Sequence, residues 1–235
     1  TGYGKELDYM SDVGLWNYFK LMEAQPNGSN TARINTNLYQ EITPLKGLTI
    51  RAAQAVDAKD YRYTGKVLPN DMGMATVTEE TFSRFYRLTS TNTIEYKFDI
   101  AENNHFTFLG GHESIITNSE GFGASSTGQT DDRMTNVNQG IKFDKPSYSF
   151  SETAQNSFFL RFSYDYKDKY FVDATFRTDG SSLFGDNNKY ANFWSVGAMW
   201  NIKSEDWMKD VEWVNNLQFK ASYGTMGNSG IDNYL

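Results

Sequence analysis

The chain has 235 residues, a formal charge of −7 and no cysteine. That balance excludes a nucleic-acid surface, which needs a basic stripe, and the lack of cysteine removes any disulfide framework or thiolate chemistry. With 15 Tyr, 17 Phe, 5 Trp and only 4 Pro, the composition points to β-structure with polar loops. No apolar run approaches the roughly 20 residues of a membrane helix. A β-barrel stays open, because its inward-facing residues dilute hydropathy. The chain starts at Thr1 without Met and stops at Leu235 without an evident end, so it reads as an internal piece of something longer.

Residues 1–30 read as loop-like. Asp12 to Ala24 carries Val13, Trp16, Phe19 and Leu21 at loosely helical spacing, ended by Pro26-Asn27-Gly28. Strands are expected across 33–224. Arg33 to Ile42 alternates, with Ile34, Thr36, Leu38, Gln40 and Ile42 on one face. Thr43 to Gly47 supplies turn chemistry, and Leu48 to Asp57 returns with Ile42 opposite Leu48.

Ala58 to Glu80 reads as a polar loop, followed by a strand over Phe85 to Ala101 and a turn at Glu102-Asn103-Asn104, where Asn tolerates the left-handed conformation. His105 to Ile116 goes back. Asn118 to Gln155, rich in Gly, Ser, Thr and Asn, reads as a second long loop.

Phe158 to Trp200 organises the rest. With Lys167-Asp168-Lys169 as a hairpin loop, Tyr166 faces Tyr170, Tyr164 faces Val172, Phe162 faces Ala174 and Leu160 faces Phe176, all on one face. The opposite face carries Arg161, Ser163, Asp165, Asp173 and Arg177. A loop at Gly180 to Ala191, a strand at Phe193 to Ile202, a short helix at Ser204 to Trp213 with Ser204 as N-cap, and a strand at Leu217 to Tyr223 complete the chain.

These connections alternate short and long. An up-and-down membrane barrel does this, with short turns on one rim and long loops on the other; a β-sandwich has no reason to sort loops by parity. The expected fold is therefore all-β, an antiparallel meander of about eight strands within an outer-membrane barrel. Tyr166, Tyr170 and Trp200 fall near short-turn ends, as membrane-interface aromatics would. The polar Arg161, Asp165, Asp173 and Arg177 then face the lumen or plug.

Arg177-Thr178-Asp179-Gly180-Ser181-Ser182-Leu183-Phe184-Gly185, then Phe193-Trp194-Ser195-Val196-Gly197-Ala198-Met199-Trp200, then Leu217 to Asn228 follow in order. This succession resembles the barrel region of SusC/RagA-type TonB-linked (TonB-dependent) outer-membrane proteins of Bacteroidetes. Departures are Leu183, Trp194 and Lys220, where that family often has Arg, Pro and Arg. The motif loop comprises Asp179, Gly180, Ser181, Ser182, Phe184 and Gly185.

The resemblance implies a barrel of about 22 strands around an N-terminal plug, here seen only as a partial barrel over 1–235 with no plug. It also implies outer-membrane localisation and contact with outer-membrane lipid. A SusD-like surface lipoprotein would act as lid, and the TonB complex would engage a missing N-terminal part. The imported substrate would be an oligosaccharide, or a peptide in the RagA branch.

No enzyme is expected, and no cofactor or metal. His105 and His112 lie seven apart, on opposite strand faces, and make poor partners for one ion. Asp179 to Ser182 with Asp186-Asn187-Asn188 misses the EF-hand spacing. Asp165 and Asp173 read as rungs of a polar ladder rather than a glycosidase pair. The competing reading is a soluble β-sandwich or carbohydrate-binding module whose aromatic face forms a core.

Overall fold

The computed structural model describes residues 18–69, 74–183 and 189–227. A short helix, α1 (Tyr18–Ala24), precedes nine strands: β1 (Gly28–Leu45), β2 (Leu48–Val67), β3 (Val77–Ile100), β4 (Asn104–Thr127), β5 (Lys142–Phe143), β6 (Ser147–Tyr166), β7 (Tyr170–Ser181), β8 (Tyr190–Asn201) and β9 (Gln218–Gly224). They form one sheet in the order β1-β2-β3-β4-β6-β7-β8-β9, with the two-residue β5 paired to the end of β4. The all-β meander expected from alternation is present. Of the expected helix at Asp12 to Ala24, only the part from Tyr18 lies within the described residues.

Several strands run further than their hydrophobic pattern. β2 continues to Val67 and β3 starts at Val77, so strand takes over both ends of the loop expected over Ala58 to Glu80. β4 extends to Thr127 and β6 begins at Ser147, which converts both ends of the expected Asn118 to Gln155 loop into strand. β7 ends at Ser181 and β8 begins at Tyr190, trimming the Gly180 to Ala191 loop likewise. The cause is the backbone, whose N–H and C=O groups pair along a ladder whatever the side chains are.

Turns differ too. The first is only Lys46-Gly47, with Gly47 at φ +82. The turn between β3 and β4 is residues 101–103, and Ala101, not an asparagine, holds the positive φ of 50. Phe98 consequently stacks on both Phe106 (5.2 Å) and Phe108 (6.0 Å). At the hairpin of β6 and β7, Lys167 and Asp168 take φ of 57 and 54, and the Asp168 amide donates to the Asp165 carboxylate at 2.9 Å.

The helix expected over Ser204 to Trp213 is replaced by two single turns of 3-10 helix, Ile202–Ser204 and Asp206–Met208. Ser204 ends the first turn instead of capping a helix. The reason is Glu205, which stays extended between them (φ −72, ψ 145) and sends its carboxylate to other elements.

Register in the last four long strands is continuous. Tyr166–Tyr170–Trp200–Phe219, Tyr164–Val172–Ala198–Ala221 and Phe162–Ala174–Val196–Tyr223 lie in rungs across the sheet, followed by Leu160–Phe176–Trp194. The interleaved rungs, Asp165–Phe171–Met199–Lys220, Ser163–Asp173–Gly197–Ser222 and Arg161–Thr175–Ser195–Gly224, occupy the other face. Of these, the β6–β7 pairs Tyr166–Tyr170, Tyr164–Val172, Phe162–Ala174 and Leu160–Phe176 are those that the sequence pattern predicts.

The chain divides into two compact units, one gathering residues up to Ile34, Asp57–Tyr86 and Asn118–Ser151, the other Asn35–Val56, Arg87–Thr117 and residues from Glu152 on. In the first, Arg33 pairs with Asp57 (2.9 Å) and Arg84 with Asp60 (2.8 Å), both near the solvent. The second contains the rungs just described.

Among the described residues the only buried apolar side chains are Ala24 and Met208. Leu160, Val172, Phe176, Trp194, Val196, Phe219 and Tyr223 are exposed. A β-sandwich would bury this face against a second sheet. None of the described strands lies outside the single sheet.

Candidate functional site

Strand parity puts the charged candidates on one face, and the ladder decides which of them meet. Asp173 lies across from Ser163, one rung from Arg161. Its Oδ1 accepts from Ser163 Oγ at 2.5 Å and from Arg161 Nη2 at 3.0 Å. Arg177 reaches in two directions, to Asp179 Oδ1 through Nε (2.6 Å) and to Glu113 Oε1 through Nη2 (3.1 Å). The Thr91 hydroxyl donates to the other oxygen of Glu113 at 3.2 Å.

Phe159 lies under the Arg177 guanidinium, 5.6 Å from ring centroid to Cζ, close enough for a cation–π contact. That ring fills the position a Cβ would take at residue 111, so glycine there is a requirement of packing.

Three of the four polar candidates, Arg161, Asp173 and Arg177, thus enter two cross-strand networks. Asp165 does not join them, because it is turned to the amide of Asp168 in the hairpin loop. This also separates it from Asp173 as a carboxylate pair. His105 bonds Asp99 at 2.6 Å. His112 packs on Phe158 at 4.7 Å and bonds Asn156 at 2.5 Å, on the other face.

The motif loop acts as a clasp between strands. Asp179 is held by Arg177. Ser182 makes two bonds to Ala154, its amide to the carbonyl (2.8 Å) and its hydroxyl from the amide (3.0 Å). Buried Ser181 accepts from the Leu183 amide at 3.2 Å, and Tyr190 stands directly across from Gly180. Phe184 and Gly185 lie outside the described residues, as does the Asp186 to Asn188 segment.

Tyr166, Tyr170 and Trp200 form a row at the short-turn end. Tyr166 and Tyr170 stack at 6.2 Å, Tyr170 and Trp200 at 6.4 Å. Glu205 gathers the polar ends of this row: it accepts from Tyr170 Oη (2.5 Å), Trp200 Nε1 (3.0 Å) and Lys169 Nζ (3.0 Å). These donors, led by the Tyr170 hydroxyl, hold the Glu205 carboxyl below the ordinary carboxylate range. Lys169 is correspondingly raised, chiefly by its bond to Glu205. Lys203 ties the same turn by donating to the carbonyls of Met208 (3.0 Å) and Val211 (2.7 Å).

Sequence reasoning missed Glu113 and Glu205. Glu113 gives no local signal, since its partners are 22 and 64 residues away. Glu205 was visible only as an acidic residue in a turn; its distance of five residues from Trp200 was the usable clue.

No protein-family profile matches the chain. It is 34% identical, over its whole length, to TonB-dependent receptor P26 of Formosa agariphila, of which it covers 26%. It is 27% identical over 62% of its length to TonB-dependent receptor SusC of Bacteroides thetaiotaomicron, covering 14% of that protein. Among solved structures, the RagAB peptide transporter superposes with a TM-score of 0.87 at 37% identity, over 91% of this chain and 24% of the other. The chain therefore spans about a quarter, or less, of the relatives it matches. At these identities, and with that superposition, the 235 residues belong to the SusC/RagA-type TonB-dependent outer-membrane proteins, as a portion of their β-barrel region.

Proposed function

We propose that this chain is a stretch of wall in an outer-membrane importer, a barrel of about 22 strands closed by a plug and powered through TonB. The observation that carries the reading is the two-sided sheet of β6 to β9: apolar rungs exposed on one face, polar rungs on the other. A sheet with that division is stable where one side meets hydrocarbon and the other water. From Tyr166 to Phe158 the apolar face runs eight residue steps, roughly 26 Å along the strand; at the usual strand tilt of about 40° that covers roughly 20 Å of the apolar band of about 25 Å on outer-membrane barrels. An open sheet edge does not stand in lipid, so import belongs to the closed barrel.

The polar face, with Arg161, Asp173 and Arg177, lines the lumen or meets the plug, while Tyr166, Tyr170 and Trp200 sit at the periplasmic interface of the outer membrane. Most of these charges already have protein partners, so the wall presents a wetted surface without a strong single-sign field. That suits passage of a polar oligomer. We read the cargo as an oligosaccharide, in company with a SusD-like surface lipoprotein. A peptide cargo is the second reading, favoured by the 37% identity to the RagAB peptide transporter.

The test uses cells expressing the complete receptor that carries this chain, with and without TonB, offered labelled oligosaccharides and labelled oligopeptides. TonB-dependent uptake of one class is expected and selects between the cargoes. Uptake that ignores TonB, or a receptor recovered from the soluble fraction, overturns the reading.

A further inference from the structure

The apolar face of the second unit is not even. Ile94, Tyr96, Phe108, Leu160, Phe162 and Phe176 surround a hollow of about 510 Å³. Gly110 and Ala174 form its low points, since neither carries a side chain beyond Cβ. A Cβ at residue 110 would just touch Leu160 (3.4 Å), so the space is real and the strand itself does not need glycine there.

Two residues further along β4, on the same face, stands a polar pair. His112 Nε2 and Asn156 Oδ1 are 2.5 Å apart, and the imidazole rests on Phe158. Two strand residues separate this pair from the hollow by about 7 Å. Their mutual bond uses one polar atom of each, so the imidazole's other nitrogen and the amide nitrogen remain costly against hydrocarbon unless something polar reaches them. Apolar space with hydrogen-bonding groups at one margin is complementary to an amphipathic molecule.

We propose that the hollow and the His112–Asn156 pair form a seat for one membrane lipid. An acyl chain lies over Gly110 and Ala174, between Leu160 and Phe108, and the headgroup meets His112 and Asn156. The position of the hollow argues for a lipid over a second protein. It lies between the aromatic row Tyr166–Tyr170–Trp200 and that polar pair, within the span assigned to hydrocarbon, where lipid is the surrounding solvent. The seat rests on the membrane reading above.

The test places the complete receptor in nanodiscs of phosphatidylcholine doped with spin-labelled phosphatidylethanolamine and counts motionally restricted lipid by electron spin resonance. Gly110→Leu fills the hollow and is expected to weaken retention of one restricted lipid by roughly tenfold, and His112→Leu to weaken it less. Ala198→Leu, on the same face outside the hollow, serves as control. If Gly110→Leu fails to assemble, judged by heat-resistant gel mobility, Ala174→Leu fills the same space from β7.

Unchanged retention in a folded filling variant overturns the seat, as does equal loss in the Ala198→Leu control. A receptor dimer that dissociates on filling, with its lipid count unaltered, assigns the hollow to protein and overturns it too. A receptor that restricts no lipid anywhere instead removes the membrane reading, so the two failures are distinct.

Discussion

The two faces of the β6 to β8 sheet are built from the same strands, yet they hold together by different means. On the apolar face, Phe162, Ala174 and Val196 occupy one rung with no polar partner among them. Its cohesion comes from ring contacts, such as Phe106 on Tyr164 (4.8 Å) and Phe108 on Phe162 (4.9 Å), and from whatever apolar medium covers it. On the polar face, charges find partners one or more strands away, as Arg177 does with Glu113 on β4. One face is therefore defined by its medium and the other by its register.

That contrast is broken most directly by moving a charge between faces. Phe162→Arg sets a guanidinium in the middle of the apolar face and is expected to cost about 2–4 kcal/mol, the range for arginine near the bilayer midplane. The neighbouring Ser163→Arg points the other way and should be far milder. Urea titration of the complete receptor in lipid vesicles reads both. Equal losses would mean that the two faces see the same medium.

A steric change on the polar face comes next. Gly111→Val places side-chain carbon where the Phe159 ring lies, so the ring and the Arg177 above it must move. Overpacking of this kind costs about 1–3 kcal/mol, and the same titration measures it. Gly110, one residue away on the opposite face, accepts a Cβ at 3.4 Å from Leu160, so Gly110→Ala should be nearly neutral. If the two glycines respond alike, alternation of faces fails at this point of β4.

The short-turn end should respond to pH. Glu205 is held below the ordinary carboxylate range by Tyr170, Lys169 and Trp200, so its contribution is complete above that range and is lost as pH falls through its lowered value. Lys169 is raised, so its contribution is complete below the ordinary lysine range and fades only as pH climbs through its raised value. Stability of this turn should be flat around neutrality and fall on the acid side. Glu205→Gln should shrink the acid limb and lower the plateau, leaving what Asp206 contributes, since Lys209 and Lys169 also hold that carboxyl below the ordinary range; hydrogen exchange at the Asn201 amide, bonded to the Lys169 carbonyl at 2.7 Å, is the local readout. An acid limb undiminished in Glu205→Gln assigns it elsewhere.

The contrast between faces also marks how much of the molecule was legible in its sequence. The apolar pairs of β6 and β7 could be read residue by residue, because alternation against a single apolar medium leaves a period of two, and β8 and β9 could be recognised as strands but not aligned on them. The outer parts of β2, β3, β4 and β6 could not. There both faces are polar, as in Asp57 to Arg62, and Gly121-Phe122-Gly123 looks like a loop although Ser147 and Ser149 from β6 lie beside those glycines. The helix expected at Ser204 is absent because Glu205 stays extended and serves three donors from other elements, a demand that the local sequence does not display. Polar candidates could be placed on a face, but not paired, since Arg177 selects Glu113 across a sequence distance of 64 residues.

The smallest effect is expected from the most conspicuous pair. Arg161 and Asp173 meet at 3.0 Å, but their side chains are 57% and 45% exposed, so water screens them and holding two long groups in place costs entropy. Arg161→Ala should change stability by about 0–1 kcal/mol, less than Gly111→Val on the same face. Asp173 also accepts from Ser163 at 2.5 Å, so removing the arginine leaves the carboxylate with a donor. A double-mutant cycle of Arg161→Ala and Asp173→Ala in the complete receptor measures the coupling. A value near 3 kcal/mol would require the pair to be dry in the assembled protein, with the plug or another part of the barrel covering it; a value near zero fits a wall that faces water.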